Sequence, residues 1–350
     1  VCLLRTPIVS SGVGRVVAVL EPGPPTVVGL LTTWTSAPVL DAMMVLLTVG
    51  YLWTASRAGV AGFRWPLRRT LSWFGAVLGL VLAVNSSMAV YAHVLFGVHM
   101  IQHLTLIMIV PVLLVWAQPL RLLATAGPPG VRSGVEAVLR GRAGRAVSAP
   151  PVALALYAAV LVLTHLTEFQ ALMLTSPWLH DAEVALYLLS GYLFFLPLAG
   201  SERTPWQVPY LLRLAILAVA MGVDTLVGIV LMLTPAAVAP GFDLGHPGWG
   251  PGVLPDQELA GAIMWVGGDG LMMLLMIAIG VRWGLAAPGD QTMGRWLEGA
   301  RARTLLGTEP SDGAGVDDDD QALATYNARL AALHCIAPVS TPDDVRPAAE

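Results

Sequence analysis

Seven apolar stretches follow one another along this chain, at residues 38–57, 70–90, 94–117, 151–170, 181–199, 209–234 and 256–283. Each is about as long as the ~20 residues an α-helix needs to cross a bilayer. Only 12% of the 350 residues are charged, roughly half the share found in soluble domains, which excludes a water-soluble globule. Prolines such as Pro66, Pro119, Pro150, Pro205 and Pro235 fall mostly between the stretches, where a missing backbone N–H costs least. The chain therefore reads as an all-α protein, a polytopic transmembrane helix bundle of about seven spans in contact with the lipid bilayer.

The basic residues, all of them arginine, orient the bundle. Arginines from Arg57 to Arg303 occupy the first, third and fifth loops and the segment after the last span, whereas the second, fourth and sixth loops hold none. Cytoplasmic loops collect positive charge, so the amino terminus is expected outside and the carboxyl terminus in the cytoplasm. Only Arg5 and Arg15 stand against this. Three regions follow: an extracytoplasmic leading segment at 1–36, a transmembrane domain at 37–285 and a polar cytoplasmic tail at 286–350. The leading segment lacks the basic-start, apolar-middle, small-residue-end order of a signal peptide, and insertion is expected to begin with the first span.

Between spans, residues 120–149 contain Arg132, Arg140, Arg142 and Arg145 among apolar residues, a pattern that fits either a basic amphipathic helix on the membrane surface or a plain solvated loop. The tail is rich in Gly and Pro, and one helix-like piece is expected at 321–334. The formal net charge of −4 includes the run Asp317 to Asp320, so the balance points to no nucleic-acid partner, and none is expected. Cys2 and Cys335 lie near opposite ends, which rules out a disulfide framework or a CxxC site. Soft-metal chemistry would have to use histidine and methionine.

Five of the seven histidines fall toward one leaflet. His99 and His103 lie on the third span, four residues apart, so they share a helix face and can present two imidazoles to one ion. His165 ends the fourth span and His180 begins the fifth. His93 is off the His99 face unless the helix begins just after it. Each alone reads as a hydrogen-bonded interfacial histidine, but polar groups near hydrocarbon are costly and the group together points to a metal or cofactor site. Imidazole suits copper, zinc, iron and nickel, and thioether sulfur selects Cu(I). Met88 and Met100 sit at the same depth, with Met173 in a nearby loop, although packing explains each equally well.

Two acids, Asp224 and Asp269, lie near the middle of the sixth and seventh spans. They read either as a proton- or ion-transfer element or as neutral acids bonded to a neighbouring helix, for example through Thr225. Asp256 and Glu258, at the start of the seventh span, fit helix capping as well as metal ligation. No Walker loop and no GxSxG motif occurs, so soluble-enzyme catalysis is not expected.

Several motifs stand in order on these spans: His99-Met-Ile-Gln-His103 with the apolar run to Pro111 and on to Gln118-Pro119; Thr164-His165; His180-Asp-Ala-Glu183 leading to Gly191-Tyr-Leu-Phe-Phe-Leu-Pro197; and Asp256-Gln257 running through Ala260-Gly261 to Met264-Trp265. Across roughly residues 26–285 this pattern resembles the CtaG-type cytochrome c oxidase assembly factors, seven-span proteins associated with bacterial haem-copper oxidases. The resemblance implies a non-enzymatic factor of the bacterial plasma membrane that supplies copper to the oxidase catalytic subunit. Oxidase subunits would be its partners, together with a copper chaperone. It also implies a metal set of His99 and His103 with His165 and His180 as auxiliary ligands; His93, Met88, Met100 and Asp256 are accessory candidates by their depth and position alone. One departure is Val184, where a second histidine is expected after the acidic residue of the fifth-span motif. The rival readings are a b-type haem-binding electron-transfer anchor and a metal transporter using Asp224 and Asp269.

Overall fold

The computed structural model describes residues 22–285, apart from 61, 168, 170–171, 173–176, 201, 203, 207, 239–241 and 243–247, together with 324, 327 and 328. Cys2, Cys335, Arg5, Arg15, Met173, Arg203 and the run Asp317 to Asp320 lie outside the described residues, as does most of 321–334.

Among the described residues the chain is helical throughout, with no strand. Short α1 (Val27–Thr32), whose first turn is capped by the Thr26 hydroxyl accepting from the Gly29 amide at 3.0 Å, leads into α2 (Pro38–Val60) and α3 (Leu67–Asn85). Then come α4 (Ser87–Tyr91), α5 (Phe96–Leu104), a π-helical turn at Thr105–Ile109, α6 (Val110–Ala117) and α7 (Pro119–Ala126). A surface pair, α8 (Pro129–Arg140) and α9 (Arg142–Val147), precedes α10 (Pro150–His165) and α11 (Pro177–Phe195). The last elements are α12 (Tyr210–Leu233), α13 (Val253–Ala262), a second π turn at Ile263–Gly267 and α14 (Gly268–Gly284).

Among the described residues, five helical segments are long and apolar enough to cross a membrane: Pro38–Val60, Leu67–Tyr91, Phe96–Ala126, Tyr210–Leu233 and Val253–Gly284. Their outward faces carry large apolar side chains, such as Leu46 at 71% and Leu274 at 65% exposure, as expected where lipid rather than water is the solvent. The fourth and fifth expected spans are the difference. The apolar helix α10 stops at His165, 16 residues after it begins, or about 24 Å at 1.5 Å per residue. Helix α11 gives its first two turns to His180, Asp181 and Glu183, which dilutes its apolarity. In the 120–149 region the helical alternative holds: no residue of α8 is buried, and Val131 and Val138 project from it at 43% and 66% exposure.

Packing brings the histidine-bearing helices together. Helix α11 contacts α10, α6 and the first π turn, while α5 contacts α13 and the second π turn. Gly191 makes the closest of these approaches possible, because a Cβ there would collide with the Ile107 carbonyl oxygen of the π turn. A second close approach joins α12 to α13: a Cβ on Gly228 would come within 2.8 Å of the Gly261 carbonyl oxygen, and one on Gly261 within 2.6 Å of that of Gly228. Small residues at such crossings let backbones approach, which drives helix association in lipid. A π turn inserts one extra residue per turn and recurs beside functional sites; here one begins two residues after His103.

Backbone cannot yield as a side chain can, so Gly191→Val is expected to destabilise the fold by about 1–3 kcal/mol or more. It should lower the thermal unfolding temperature of the detergent-solubilised protein. Gly222→Ala, with nothing within 4 Å of the new methyl, is expected to be neutral or slightly stabilising in the same assay.

Candidate metal centre

The site begins with the start of α5. Asp256 of α13 accepts from the Phe96 amide at 2.6 Å through Oδ2 and from the Gly97 amide at 3.0 Å through Oδ1. A carboxylate at a helix N-terminus satisfies orphan N–H groups and opposes the positive end of the dipole. The capping role expected for Asp256 is therefore real, but the helix capped is α5 rather than its own. One turn on, Gln102 donates to the Ala83 carbonyl of α3 at 2.8 Å. Helix α5 is thereby held at its start and along its length, and the faces of His99 and His103 are fixed.

Those two rings lie 4.0 Å apart between centroids, and both side chains are buried. Facing them, Glu183 of α11 is 2% exposed. One donor atom from each of His99, His103 and Glu183 can be chosen so that all three lie within 4.8 Å of one another. His165, fully buried at the end of α10, contacts the set from behind: its Nε2 is 3.1 Å from His103 Nδ1. His180 places Nδ1 3.8 Å from Glu183 Oε2 on the more open side, and its ring lies 5.0 Å from that of exposed His93. The five histidines thus form a row from the core to the surface.

Hydrogen positions follow from the partners. A carbonyl oxygen only accepts, so in a neutral ring His165 Nδ1, 2.8 Å from the Leu161 oxygen, donates and Nε2 is a lone pair. Nδ1 of His103 must then donate to it, leaving the Nε2 lone pair of His103 directed at Glu183 Oε1, 3.4 Å away. Behind this pair Thr164 donates to the Val160 carbonyl at 2.7 Å and accepts from the Tyr187 hydroxyl at 2.6 Å. Tyr187 in turn packs its ring 4.3 Å from that of His103.

Nε2 of His99, Nε2 of His103, Nδ1 of His180 and both Glu183 oxygens are buried without a hydrogen-bond partner. Each such atom costs about 1–3 kcal/mol when left unsatisfied, and more if charged. Electron-rich atoms turned toward one another in a dry interior fit a bound cation. Metal–nitrogen and metal–oxygen bonds of about 2.0–2.2 Å would draw the three donor atoms closer together than the 4.8 Å within which they lie. The back of the site is finished as metal sites usually are, with the non-ligating nitrogen of a histidine donating to an outer partner.

Of the residues singled out in the sequence, His99 and His103 meet at the centre, His180 and His93 lie toward the surface, and His165 stands behind His103. Met100 is buried in the main apolar core and Met88 is partly buried. Asp224 and Asp269 lie apart, each beside a hydroxyl: Tyr157 is 3.3 Å from Asp224 Oδ2, and Thr225 donates to Asp269 Oδ2 at 2.7 Å. Val184 packs into the apolar core, and the residue before it supplies the donor instead. Glu183 had been read only as part of a motif. Its signal is an acid three residues after His180, one helical turn on and so on the same face, whereas Asp181 is not.

Residues 49–284 match the model of the cytochrome c oxidase caa3 assembly factor family, Caa3_CtaG. The chain belongs to this family. Uncharacterized proteins from Mycobacterium bovis and Mycobacterium tuberculosis are each 29% identical over 321 residues, and one from Mycobacterium leprae is 28% identical. The alignments cover 89% of this chain but 46% of those relatives, so the chain spans about half the length of the curated proteins it matches. No solved structure matches the chain. In this Caa3_CtaG member the quoted motifs have structural duties: Gln102 ties α5 to α3, while Gln257 accepts from the Val238 amide at 2.8 Å and places its own amide 3.1 Å from the Leu231 carbonyl.

Replacing a buried uncompensated polar group with an apolar one of similar size is often stabilising, by about 1–4 kcal/mol for ion pairs. Glu183→Leu is accordingly expected to raise the unfolding temperature of chelator-treated protein. A conserved or lowered temperature would mean that the carboxylate is already satisfied.

Proposed function

We propose that this chain is a non-enzymatic membrane assembly factor that binds copper through His99, His103 and Glu183 and delivers it to the catalytic subunit of a haem-copper cytochrome c oxidase. The observation that carries this reading is the convergence of partnerless His and Glu atoms in a buried pocket of a caa3 assembly factor. Two imidazoles and a carboxylate form an open set, suited to an ion that must leave again; closed four-ligand sites suit structural metal. The same donors accept Cu(II) and Zn(II), so metal selectivity belongs in the test. His165 acts as the positioning residue that sets the His103 tautomer. His180 and His93 form the path along which the ion reaches the surface by ligand exchange, towards an oxidase subunit or a copper chaperone.

The same reading takes the chain as a seven-pass protein of the bacterial plasma membrane, with α10 and α11 completing the five longer spans. The arginine-bearing ends face the cytoplasm and the histidine row faces outward, as the distribution of charge favours. The direct 3.1 Å contact between His103 and His165 leaves no space for a porphyrin between those rings, which favours a metal ion over b-type haem. The hydroxyl partners of Asp224 and Asp269 supply a structural reason for both acids, so transport is not needed to explain them.

Complementation of a strain lacking the factor tests the proposal. The His99→Ala, His103→Ala double variant is expected to reach the membrane at normal level yet leave the oxidase copper-deficient and inactive. The purified variant should lose stoichiometric copper that the parent protein retains. His165→Ala is expected to weaken copper binding by about 10–100-fold without abolishing it, as loss of an outer partner does. Full oxidase activity and copper content in the double variant would overturn the assignment.

A further inference from the structure

At the end of the bundle remote from the histidines, three arginines from two helices surround one cavity. Arg68 and Arg69 stand in the first turn of α3, Arg282 in the last turn of α14, and together with Ser72 and Gln118 they line a space of about 450 Å³. No carboxylate occurs among the described residues that line it, although buried Glu202, two residues from the lining residue Gly200, lies near enough to act on Arg69 electrostatically. Among the described residues none of the three arginines forms an ion pair with an acid, and Arg69 instead lies 4.4 Å over the ring of Trp65. The placement of Arg68 and Arg69 is electrostatically adverse, because a helix N-terminus is already positive. The first turn of α3 has no acidic residue and its N-cap, Pro66, offers no side-chain bond. An anion at this position would meet guanidinium groups and the helix dipole at once.

A separate feature abuts this cavity. An apolar groove of about 240 Å³ runs between the α6 segment and α14, floored by Met108, Val112 and Phe195 and flanked by Leu271, Leu275 and Ala278. Trp116, fixed by donating to the Ala199 carbonyl at 2.9 Å, lines both the groove and the arginine cavity. Along α14, residues 271, 275, 278 and 282 follow the spacing of one helix face, so the apolar wall leads directly to Arg282. The two spaces adjoin at Trp116, the groove lined by apolar residues and the cavity beside it by arginines.

We propose that this groove binds an anionic phospholipid, with an acyl chain between α6 and α14 and the phosphate-bearing headgroup at Arg68, Arg69 and Arg282. A free phosphate would account for the arginines but leave the groove without an occupant; a neutral lipid would fill the groove and leave the arginines unpaired. The site is independent of the metal centre and does not rest on the copper reading.

Native mass spectrometry of the delipidated full chain in non-ionic detergent tests it, with phosphatidylglycerol, phosphatidylcholine of the same chains, and inorganic phosphate as probes. Phosphatidylglycerol is expected to be retained about tenfold more tightly than phosphatidylcholine. The Arg68→Gln, Arg282→Gln double variant should remove that preference, and Ala278→Trp, which fills the groove, should weaken phosphatidylglycerol retention. Arg132→Gln, on exposed α8, should leave it unchanged, and helical content by circular dichroism should match the parent in every variant. Equal retention of the two lipids, an unaltered preference in the double variant, unchanged retention in Ala278→Trp, or full displacement by millimolar inorganic phosphate would each overturn the proposal.

Discussion

Glu183 and the ring nitrogens of His99 and His103 meet in the buried centre of the protein, and the packing of the helices around them follows from that placement. With Glu183 ionised and His103 neutral, lone pairs 3.4 Å apart in a medium of low dielectric repel, so in that state the surrounding helices supply the energy that keeps them assembled. They do so by backbone means: a carboxylate on the first amides of α5, a glutamine on a carbonyl of α3, and a glycine on α11 that admits the π turn to contact. The polar groups thus sit in the centre of a scaffold held by packing, as is usual where helices associate in lipid without help from water.

Polarity is graded along the histidine row. His165 is fully buried, His103 and His99 nearly so, His180 is 20% exposed at its side chain and His93 is open. Such grading separates holding from exchange. The tautomers of His103 and His165 are set by fixed partners, and at the open end His93 donates through Nδ1 to the Ala89 carbonyl oxygen at 2.7 Å. In the proposed role, such a row would hold an ion at its buried end and present it at its open end without a moving domain.

Much of this was legible in the residues themselves. Long apolar stretches and the spacing of His99 and His103 announced the helices and the shared face, and the ordered motifs announced the family. Less was visible where a contact depended on two distant helices meeting. Asp256 looks like the cap of its own helix, because nothing in its neighbourhood reveals that Phe96 and Gly97, 160 and 159 residues away, present their amides to it. Glu183 was hidden for the same reason, as its significance comes from facing α5 and not from its own segment. The count of membrane-length helices was blurred by the site itself: the polar start of α11 and the early stop of α10 are where an apolar span gives way to ligands.

The π turn at Thr105–Ile109 gives the histidines a further dependence. A helix with one residue to spare is rotated by roughly 100° relative to an uninterrupted α-helix, so the direction in which His99 and His103 look is tied to residue count downstream of them. Their aim is therefore a property of chain length as well as of side chains. Two descendants of one ancestor could share every histidine and still turn them to different neighbours, simply because one of them had lost a residue at the bulge.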